Sequence, residues 1–372
     1  MNSKRQELAM LQRSMTACQR RRSGSYSASH CHVAIFQRRP SMLAITEQSI
    51  AVSVARRRAD WGRDLAHIVA IVASHFSDFN DNGFYAHPDE QALQRELLGV
   101  PGLARLAEAI AARPARALAI TGLGLGQLDE RDRNAVLYAI ALSGGFPTST
   151  DQRTGRVAWD VRARPAGQAQ AEFVTFSERV GGADMHTDSS FYPMPEEQFL
   201  LYVVAAARCQ GGESLLLDVD DIERELQRSA AGRAACALLG ETPLPFRVPS
   251  VYAAQEQGVE YHLASVFERP AQLRGGLAMR WRYDALLKGL AARPDLDGPA
   301  LRAALALVNE VVETRAPRFC RRLPDDTLLW TDNHRALHGR ARYSDPARHL
   351  IRIRISNTPN ARRIGPSGIS AD

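Results

Sequence analysis

Two short segments, far apart in the chain, constrain its fold more than any other feature of the sequence. Residues 181–191 are GGADMHTDSSF, and residues 332–340 are DNHRALHGR. His186 and Asp188 are two positions apart, so on a strand their side chains leave the same face. A second histidine, brought in by the fold, would complete a set of two imidazoles and one carboxylate. The chain is therefore expected to fold so that these distant segments meet.

Such a set is typical of a mononuclear iron site. Two histidines and one carboxylate occupy one face of an octahedral Fe(II) and leave the opposite positions open. An oxygenase needs open positions in order to bind a bidentate cosubstrate and dioxygen together. An HxD tripeptide alone is weak evidence, because a strand histidine beside a surface carboxylate is the ordinary alternative. The prediction therefore depends on other elements that dioxygen chemistry requires.

A basic strand and a glycine turn supply such elements. Residues 348–355 are RHLIRIRI, an alternation that places Arg348, Arg352 and Arg354 on one face of a strand. A buried guanidinium needs a carboxylate partner, and its fork geometry matches one. The turn GGES at residues 211–214 opens another predicted strand, and its serine hydroxyl can give the same carboxylate a second donor.

Together these segments resemble the taurine dioxygenase and clavaminate synthase-like family of Fe(II)/2-oxoglutarate oxygenases, over roughly residues 115–356. In that family an HxD or HxE motif precedes a turn of two glycines, an acidic residue and a threonine. A late DNRxxxHGR segment carries the second histidine. The resemblance therefore implies that His186, Asp188 and His338 are the metal ligands and the catalytic residues.

The resemblance also implies which residues bind the cosubstrate. Arg352 and Ser214 fall on the positions that hold the distal carboxylate of 2-oxoglutarate, and Arg348 is a further candidate. Ser214 stands where the family usually has threonine, which keeps the hydroxyl. His334 replaces the commoner arginine of the DNR motif and leaves the metal set unchanged. Fe(II), 2-oxoglutarate and O2 are thus the implied cofactor and cosubstrates.

The activity implied by the resemblance is hydroxylation of an unactivated C–H bond in a small carboxylate or an amino acid, free or tethered to a carrier protein. Succinate and CO2 would be released. The aspartate at position 188 favours hydroxylation, since related halogenases have a small residue there. Desaturation and ring closure use the same iron set and stay open. A zinc-dependent hydrolase is a further alternative, although it has no need of a dicarboxylate clamp.

Candidates for substrate contact are less specific. Arg280, Arg282 and Arg340 are each able to hold a substrate carboxylate, but an arginine is as commonly engaged by backbone carbonyls. Ser190 and Phe191 follow the metal strand, where they either line the pocket or belong to the core and a turn. The sequence leaves the identity of the substrate open.

The amino-acid composition indicates the cellular compartment and the kinds of partner to expect. The 372-residue chain has five cysteines, an odd number without a CxxC pair, which argues against a disulfide framework or a zinc ribbon. A reducing, cytoplasmic compartment is therefore expected. The longest apolar stretch, residues 199–207, is too short to span a bilayer. No membrane is expected as a partner, and the oligomeric state is left open.

The positive charge is concentrated in the first 41 residues. The chain has a net charge of +6, whereas residues 1–41 hold eight Lys and Arg against one Glu. The body is nearly neutral, so no nucleic-acid partner is expected. The segment is rich in arginine and serine and lacks periodicity, which is typical of a disordered tail. A targeting peptide and a nucleic-acid arm are the other interpretations, and Met42 is an alternative start.

Periodicity predicts mixed α and β structure without repeats, in a single domain over residues 42–372. The resemblance adds an α+β fold with a double-stranded β-helix (jelly-roll) core at about residues 170–356 and flanking helices. A helical insertion is expected at about residues 219–320. Among the local predictions are a helix over residues 51–75 and a strand over residues 172–177.

Overall fold

The structure is a computed structural model. It describes residues 54–59, 61, 63–76, 89–112, 115–149, 156–164, 176–249, 259–273, 276–315 and 318–359. The predicted tail, residues 1–41, lies outside the described residues.

Eight α-helices lie in the described residues, and polar caps specify several of their starts. In chain order they are α1 (Asp64–His75), α2 (Glu90–Leu97), α3 (Pro101–Ala111), α4 (Glu130–Gly144), α5 (Val219–Gln227), α6 (Ala230–Glu241), α7 (Tyr283–Ala292) and α8 (Pro299–Glu310). Aspartate or serine side chains accept a backbone N–H at the starts of α2, α4, α5 and α6. None of the described helices is both long and apolar enough to cross a membrane.

Fifteen strands accompany these helices in the described part of the chain. They are β1 (Val54–Arg58), β2 (Ala117–Thr121), β3 (Phe146–Thr148), β4 (Trp159–Arg162), β5 (Ala183–His186), β6 (Gln198–Ala205), β7 (Ser214–Asp218), β8 (Leu244–Arg247), β9 (Tyr261–Ala264), β10 (Phe267–Glu268), β11 (Ala278–Met279), β12 (Phe319–Arg321), β13 (Thr327–Asp332), β14 (Ala336–Arg340) and β15 (His349–Ser356).

Two sheets pack against each other and enclose the site. The larger has seven strands in the order β1-β2-β13-β6-β15-β3, with β4 also paired to β15. The smaller has the order β12-β7-β14-β5. Leu216 on β7 packs with Leu329 on β13 and with Ala117 and Ala119 on β2. The chain is therefore a mixed α and β protein in which the inner faces of the two sheets meet.

The alternation of β15 decides which of its side chains reach the site. Ile351, Ile353 and Ile355 pack in one apolar cluster with the residues of α4. Helix α4 is buried almost all round, because it lies between the larger sheet and the helices α1 to α3. The arginines of β15 leave the opposite face, toward the smaller sheet. The predicted alternation thus separates core packing from the site.

The four helices α5 to α8 lie in the chain between β7 and β12. They form a second apolar cluster that includes Met185, Leu217 and Leu337, next to the metal strand. This part of the molecule therefore backs the smaller sheet.

Two local predictions differ from the structure. Within residues 51–75, the segment Val54–Arg58 is strand β1, and helix begins only at Asp64. β1 pairs in parallel with β2, a partner that local periodicity does not reveal. At the end of the predicted strand 172–177, Phe176–Glu178 is a 3-10 turn, and the preceding residues lie outside the described ones.

Candidate active site

The three predicted metal ligands come together on adjacent strands of the smaller sheet. His186 ends β5 and lies opposite His338 on β14, and Asp188 follows two residues after His186. Asp188 Oδ1 is 3.9 Å from His186 Nε2 and 4.0 Å from His338 Nε2. The ligand atoms all lie within 4.8 Å of one another, and the described part of the chain has no second cluster of this kind.

Burial and neighbouring charges set the protonation of these groups. Burial lowers the pKa of His338 to about 4 and the pKa of His186 well below its ordinary value. Burial alone would raise the pKa of Asp188, but the guanidinium groups of Arg352 and Arg354 hold it below its ordinary value. At pH 7 the set is two neutral imidazoles and one carboxylate. Fe(II) fits this donor set.

Hydrogen bonds from the surrounding backbone and side chains orient the ligands. His186 Nδ1 contacts Asp184 O at 2.8 Å, which leaves Nε2 to face the other two ligands. The backbone N–H of Asp188 donates to Asn333 Oδ1 at 2.8 Å, and Asn333 Nδ2 donates to Asp188 O at 3.1 Å. Asn333 is fully buried. The main chain that carries Asp188 is therefore held by one amide side chain.

The residue after Asp188 has an uncommon backbone conformation. Ser189 has a φ of 58°, in the left-handed region that non-glycine residues seldom adopt. Its hydroxyl donates to the buried carboxylate of Glu196, whose other oxygen accepts from Thr148 Oγ1 at 3.0 Å. Asn333 Nδ2 also donates to Glu196 O at 2.7 Å. The sequence does not predict these roles, although Asn333 lies inside the late motif DNHRALHGR.

A cavity of about 310 Å³ opens beside the three predicted ligands. Most of the predicted site residues line it: His186, Asp188, Phe191, Ser214, Arg282, His338, Arg340, Arg348 and Arg352. Ser189 lines it as well, whereas its neighbour Ser190 is fully buried and is not part of the lining. Ser190 therefore belongs to the core and the turn, which was the alternative interpretation, and the serine that lines the pocket is one position earlier.

Arg280 lies outside this cavity. Its guanidinium donates to the backbone oxygens of Tyr192 at 2.6 Å, Ser190 at 3.3 Å and Pro193 at 3.4 Å. It therefore holds the turn that follows the metal strand. The substrate role predicted for Arg280 has no support in this geometry, because the alternative interpretation, an arginine engaged by carbonyls, describes its contacts.

Arg352 and Arg354 of β15 face the metal ligands. Arg352 Nη1 donates to Asp188 Oδ1 at 3.0 Å, and Arg354 Nε lies 3.7 Å from Asp188 Oδ2. All three residues are buried. The arginine that the sequence assigns to the cosubstrate therefore reaches the metal end of the cavity.

Arg348 is four residues before Arg352 on the same strand face, beside the glycine turn. Its guanidinium carbon is 5.0 Å from the centre of the Tyr343 ring, and its Nε is adjacent to Gly212. Nη1 has no hydrogen-bond partner among the described residues. Burial, followed by the nearby charge of Arg340, lowers the pKa of Arg348 to about 10, so it stays charged at pH 7.

The glycine turn also positions Ser214, which lines the same cavity. Ser214 starts β7 and lies opposite Arg340 of β14. Gly211 and Gly212 have φ values of 101° and 77°, and a Cβ on Gly211 would collide with the carbonyl oxygen of Arg342. Only glycine fits there, which explains the GG pair of the motif.

Solved structures share this fold. A variant of the non-heme iron oxygenase OrfP, in complex with (3S)-hydroxy-L-Arg, matches with a TM-score of 0.61 at 15% identity, over 86% of this chain and 98% of that chain. OrfP with Fe and alpha-ketoglutaric acid matches with 0.56 at 14% identity, over 82% and 94%. Asparagine oxygenase AsnO matches with 0.59 at 15% identity, over 84% and 95%. No curated protein matches the sequence.

A family model, that of the taurine catabolism dioxygenase TauD, TfdA family, matches residues 103–354. This is more than half of the chain, and it includes every residue of the cavity described above. The chain therefore belongs to the TauD, TfdA family of taurine catabolism dioxygenases and is an Fe(II)/2-oxoglutarate-dependent dioxygenase.

Proposed function

We propose that this dioxygenase hydroxylates an unactivated C–H bond of a small carboxylate or amino acid at an iron site made by His186, Asp188 and His338. The observation that carries the proposal is the convergence of these side chains at a cavity of about 310 Å³. These three residues would hold iron, which would supply the activation of O2 for conversion of 2-oxoglutarate to succinate and CO2 with hydroxylation of the substrate.

The residues around the metal set have distinct tasks in this proposal. The two neutral imidazoles offer lone pairs, and the ionised carboxylate of Asp188 offers the one negative charge. Arg352 and Ser214 bind the distal carboxylate of 2-oxoglutarate. Arg348 is a further donor to the cosubstrate, because its buried guanidinium has an N–H without a partner among the described residues. The apolar lining, including Phe191, excludes water.

The substrate in this proposal is a free small molecule. OrfP has been solved with L-Arg and with (3S)-hydroxy-L-Arg, and asparagine oxygenase with 2S,3S-3-hydroxyasparagine and succinate. A cavity that holds both 2-oxoglutarate and a substrate in about 310 Å³ favours a compound of amino-acid size. A carrier-tethered amino acid is the alternative. Arg282 and Arg340 remain the predicted substrate-side arginines.

The fold and the location are part of the same proposal. Two sheets with facing inner surfaces support a double-stranded β-helix (jelly-roll) core at about residues 170–356, with the helices of residues 219–320 inserted. The whole would form one oxygenase domain over residues 42–372. A cytoplasmic location is supported by the cysteine content, since a reducing compartment also suits ferrous iron.

Anaerobic reconstitution tests the ligand assignment. Protein with Fe(II) and 2-oxoglutarate should develop a weak visible charge-transfer band, because a chelating keto acid needs adjacent open positions on the metal. His186→Ala and His338→Ala should lose the band and the succinate formed when O2 is admitted. His349→Ala, whose ring pairs with Asp160, is a matched control and should keep both.

The result that would overturn the assignment is a band of normal intensity with full turnover in either ligand variant. A zinc-dependent hydrolase would show neither the band nor O2-dependent succinate in the unaltered protein.

A further inference from the structure

The cavity beside the metal ligands is strongly cationic. Among the lining residues that the structure describes, seven side chains are positively charged and only two, Asp188 and Asp284, are negatively charged. Iron and 2-oxoglutarate carry charges that largely cancel each other. The excess of positive charge therefore needs an explanation from something other than the cofactor and the cosubstrate.

Four of the seven cations lie at the metal and cosubstrate end. Arg352 and Arg354 face Asp188. Arg340 and Arg348 flank a single aromatic ring next to the glycine turn. These four cations therefore lie beside the metal ligand Asp188 or at the proposed cosubstrate site.

The other three cations form one wall, which we call the α7 wall: Arg247, Arg282 and Lys288. Arg282 precedes α7, Lys288 lies within it, and Arg247 ends β8. Helix and strand are in close contact, because a Cβ on Gly289 would collide with the carbonyl of Pro245. The three cations are thus presented by one tightly packed unit.

Asp284 neutralises only part of this charge. Its carboxylate lies 3.4 Å from Arg282 Nε and 3.2 Å from Lys288 Nζ. Arg247 has neither an ion pair nor a hydrogen bond with any described residue, and its side chain is half-buried. The α7 wall therefore keeps a net positive charge that faces the cavity.

Arg282 connects the α7 wall to the metal ligands. The backbone oxygen of its neighbour Trp281 accepts from the N–H of Thr187 at 2.9 Å, and Thr187 is the residue between His186 and Asp188. The segment before α7 therefore runs alongside the metal strand. An anion bound to the α7 wall would lie in the same cavity as the iron ligands and close to them.

We propose that the α7 wall is a substrate-anion subsite, and that the substrate is a small acid bearing a carboxylate, sulfonate or phosphonate rather than a cationic amino acid. The inference rests on the function proposed above and specifies its substrate class. A cationic wall attracts anions and repels cations, and guanidinium groups match oxyanions in geometry. L-Arg, which OrfP binds, would meet repulsion here.

Equilibrium binding to the anaerobic Fe(II) and 2-oxoglutarate complex tests the inference. Calorimetric titrations compare L-glutamate with L-glutamine, L-aspartate with L-asparagine, and glutarate with 1,5-diaminopentane, with L-arginine as a cationic amino acid. Homocysteate and the phosphonate analogue of glutamate distinguish the oxyanions. At least one acid is expected to bind, more tightly than its neutral or cationic counterpart and more weakly as salt is raised.

Variants locate the subsite. Arg247→Gln and Lys288→Gln should each weaken binding of the acid by about 10- to 100-fold, the usual loss of a hydrogen bond to a charged group. Lys288→Glu should weaken it further, since it reverses the charge. Arg302→Gln is the matched control, because it removes an exposed cation of α8 that pairs with Asp297. This variant should bind the acid normally.

Three results would overturn the inference: no acid binds, a neutral or cationic counterpart binds more tightly, or the three α7-wall variants bind like the unaltered protein. These results differ from a failure of the proposed function. In that case the unaltered protein would lack the charge-transfer band with Fe(II) and 2-oxoglutarate before any substrate is added.

Discussion

Asp188 meets two guanidinium groups within the protein itself. Its oxygens are 3.0 Å from Arg352 Nη1 and 3.7 Å from Arg354 Nε, and the residue is 3% exposed. A carboxylate buried to this extent is unfavourable unless cations compensate it. The two arginines therefore stabilise the ionised form of Asp188, which is the form that coordinates a metal.

Arg352→Ala is expected to raise the 2-oxoglutarate requirement strongly. If the guanidinium binds the distal carboxylate, its removal leaves a desolvated anion, a loss of about 3 to 5 kcal/mol or roughly two to three and a half decades in affinity. Fe(II) binding should survive, because no metal ligand is lost and Arg354 still lies 3.7 Å from Asp188. Lysine at this position should recover only part of the affinity, since it offers a point charge in place of a fork. Titration of 2-oxoglutarate against succinate formation measures the effect.

Arg348→Ala and Arg354→Ala are the comparisons, and both should change the requirement less. An unchanged requirement in Arg352→Ala would remove this residue from the cosubstrate site. A larger effect in Arg348→Ala would assign the distal carboxylate to the arginine beside Gly212, where an unpartnered N–H already lies.

At the scale of elements, the position of the segment after β5 depends on side chains as well as on the backbone hydrogen bonds between β5 and β14. β5 pairs with β14 over only a few residues, and the register shifts between His338 and Arg340. After His186 the chain leaves the sheet, and Asn333 together with Glu196 holds it through the hydrogen bonds around Asp188. The end of β13 therefore orients the loop that completes the metal set.

Asn333→Ala is expected to weaken metal binding by about 10- to 100-fold, the usual effect of removing a group that orients metal ligands. The variant loses three hydrogen bonds to the backbone of Asp188 and Glu196. Anaerobic titration with Co(II) or Fe(II) measures the affinity, and thermal unfolding shows whether the fold persists. Asn357→Ala, at an exposed position bonded to Gln198, is the control. Native affinity in Asn333→Ala would show that the loop is held by other contacts.

At the scale of the whole molecule, one face of the larger sheet forms the core and the other faces the cavity. One face packs on α4 through the isoleucines of β15, and the other carries Arg352 and Arg354 of the cavity. The first described strand, β1, begins at Val54 and extends this sheet by pairing with β2. The packed body that the structure describes therefore contains the complete set of predicted metal ligands.

A chain that begins at Met42 is expected to fold and turn over normally, because it keeps β1 and every residue of the site. Its net charge becomes −1 in place of +6, since residues 1–41 carry +7. Weak, salt-sensitive retention on DNA should be lost with them. Thermal unfolding, succinate formation and DNA retention at two salt concentrations check these points. Insoluble or inactive protein would mean that the first 41 residues pack on the body.

The sequence by itself was sufficient to predict the family, the enzyme class and which side chains share a face of a strand. Strand alternation is a local property with a period of two, so RHLIRIRI predicted three cavity arginines and three core isoleucines. A left-handed turn favours glycine, so the GG pair marked the start of β7. The HxD spacing predicted that His186 and Asp188 lie on one side; their side chains do meet, although β5 ends at His186 and Asp188 follows it. Each of these inferences needed only neighbouring residues.

The tertiary structure decided everything that depends on which segments meet. Arg280 and Arg282 are two residues apart and would share a face of a strand, but the strand ends at Met279 and α7 begins at Tyr283. Arg280 therefore donates to backbone carbonyls, whereas Arg282 lines the cavity. The same holds for Arg247 and Lys288, which join one wall only because β8 packs on α7. Contacts of this kind depend on long-range packing, and neither residue type nor spacing specifies it.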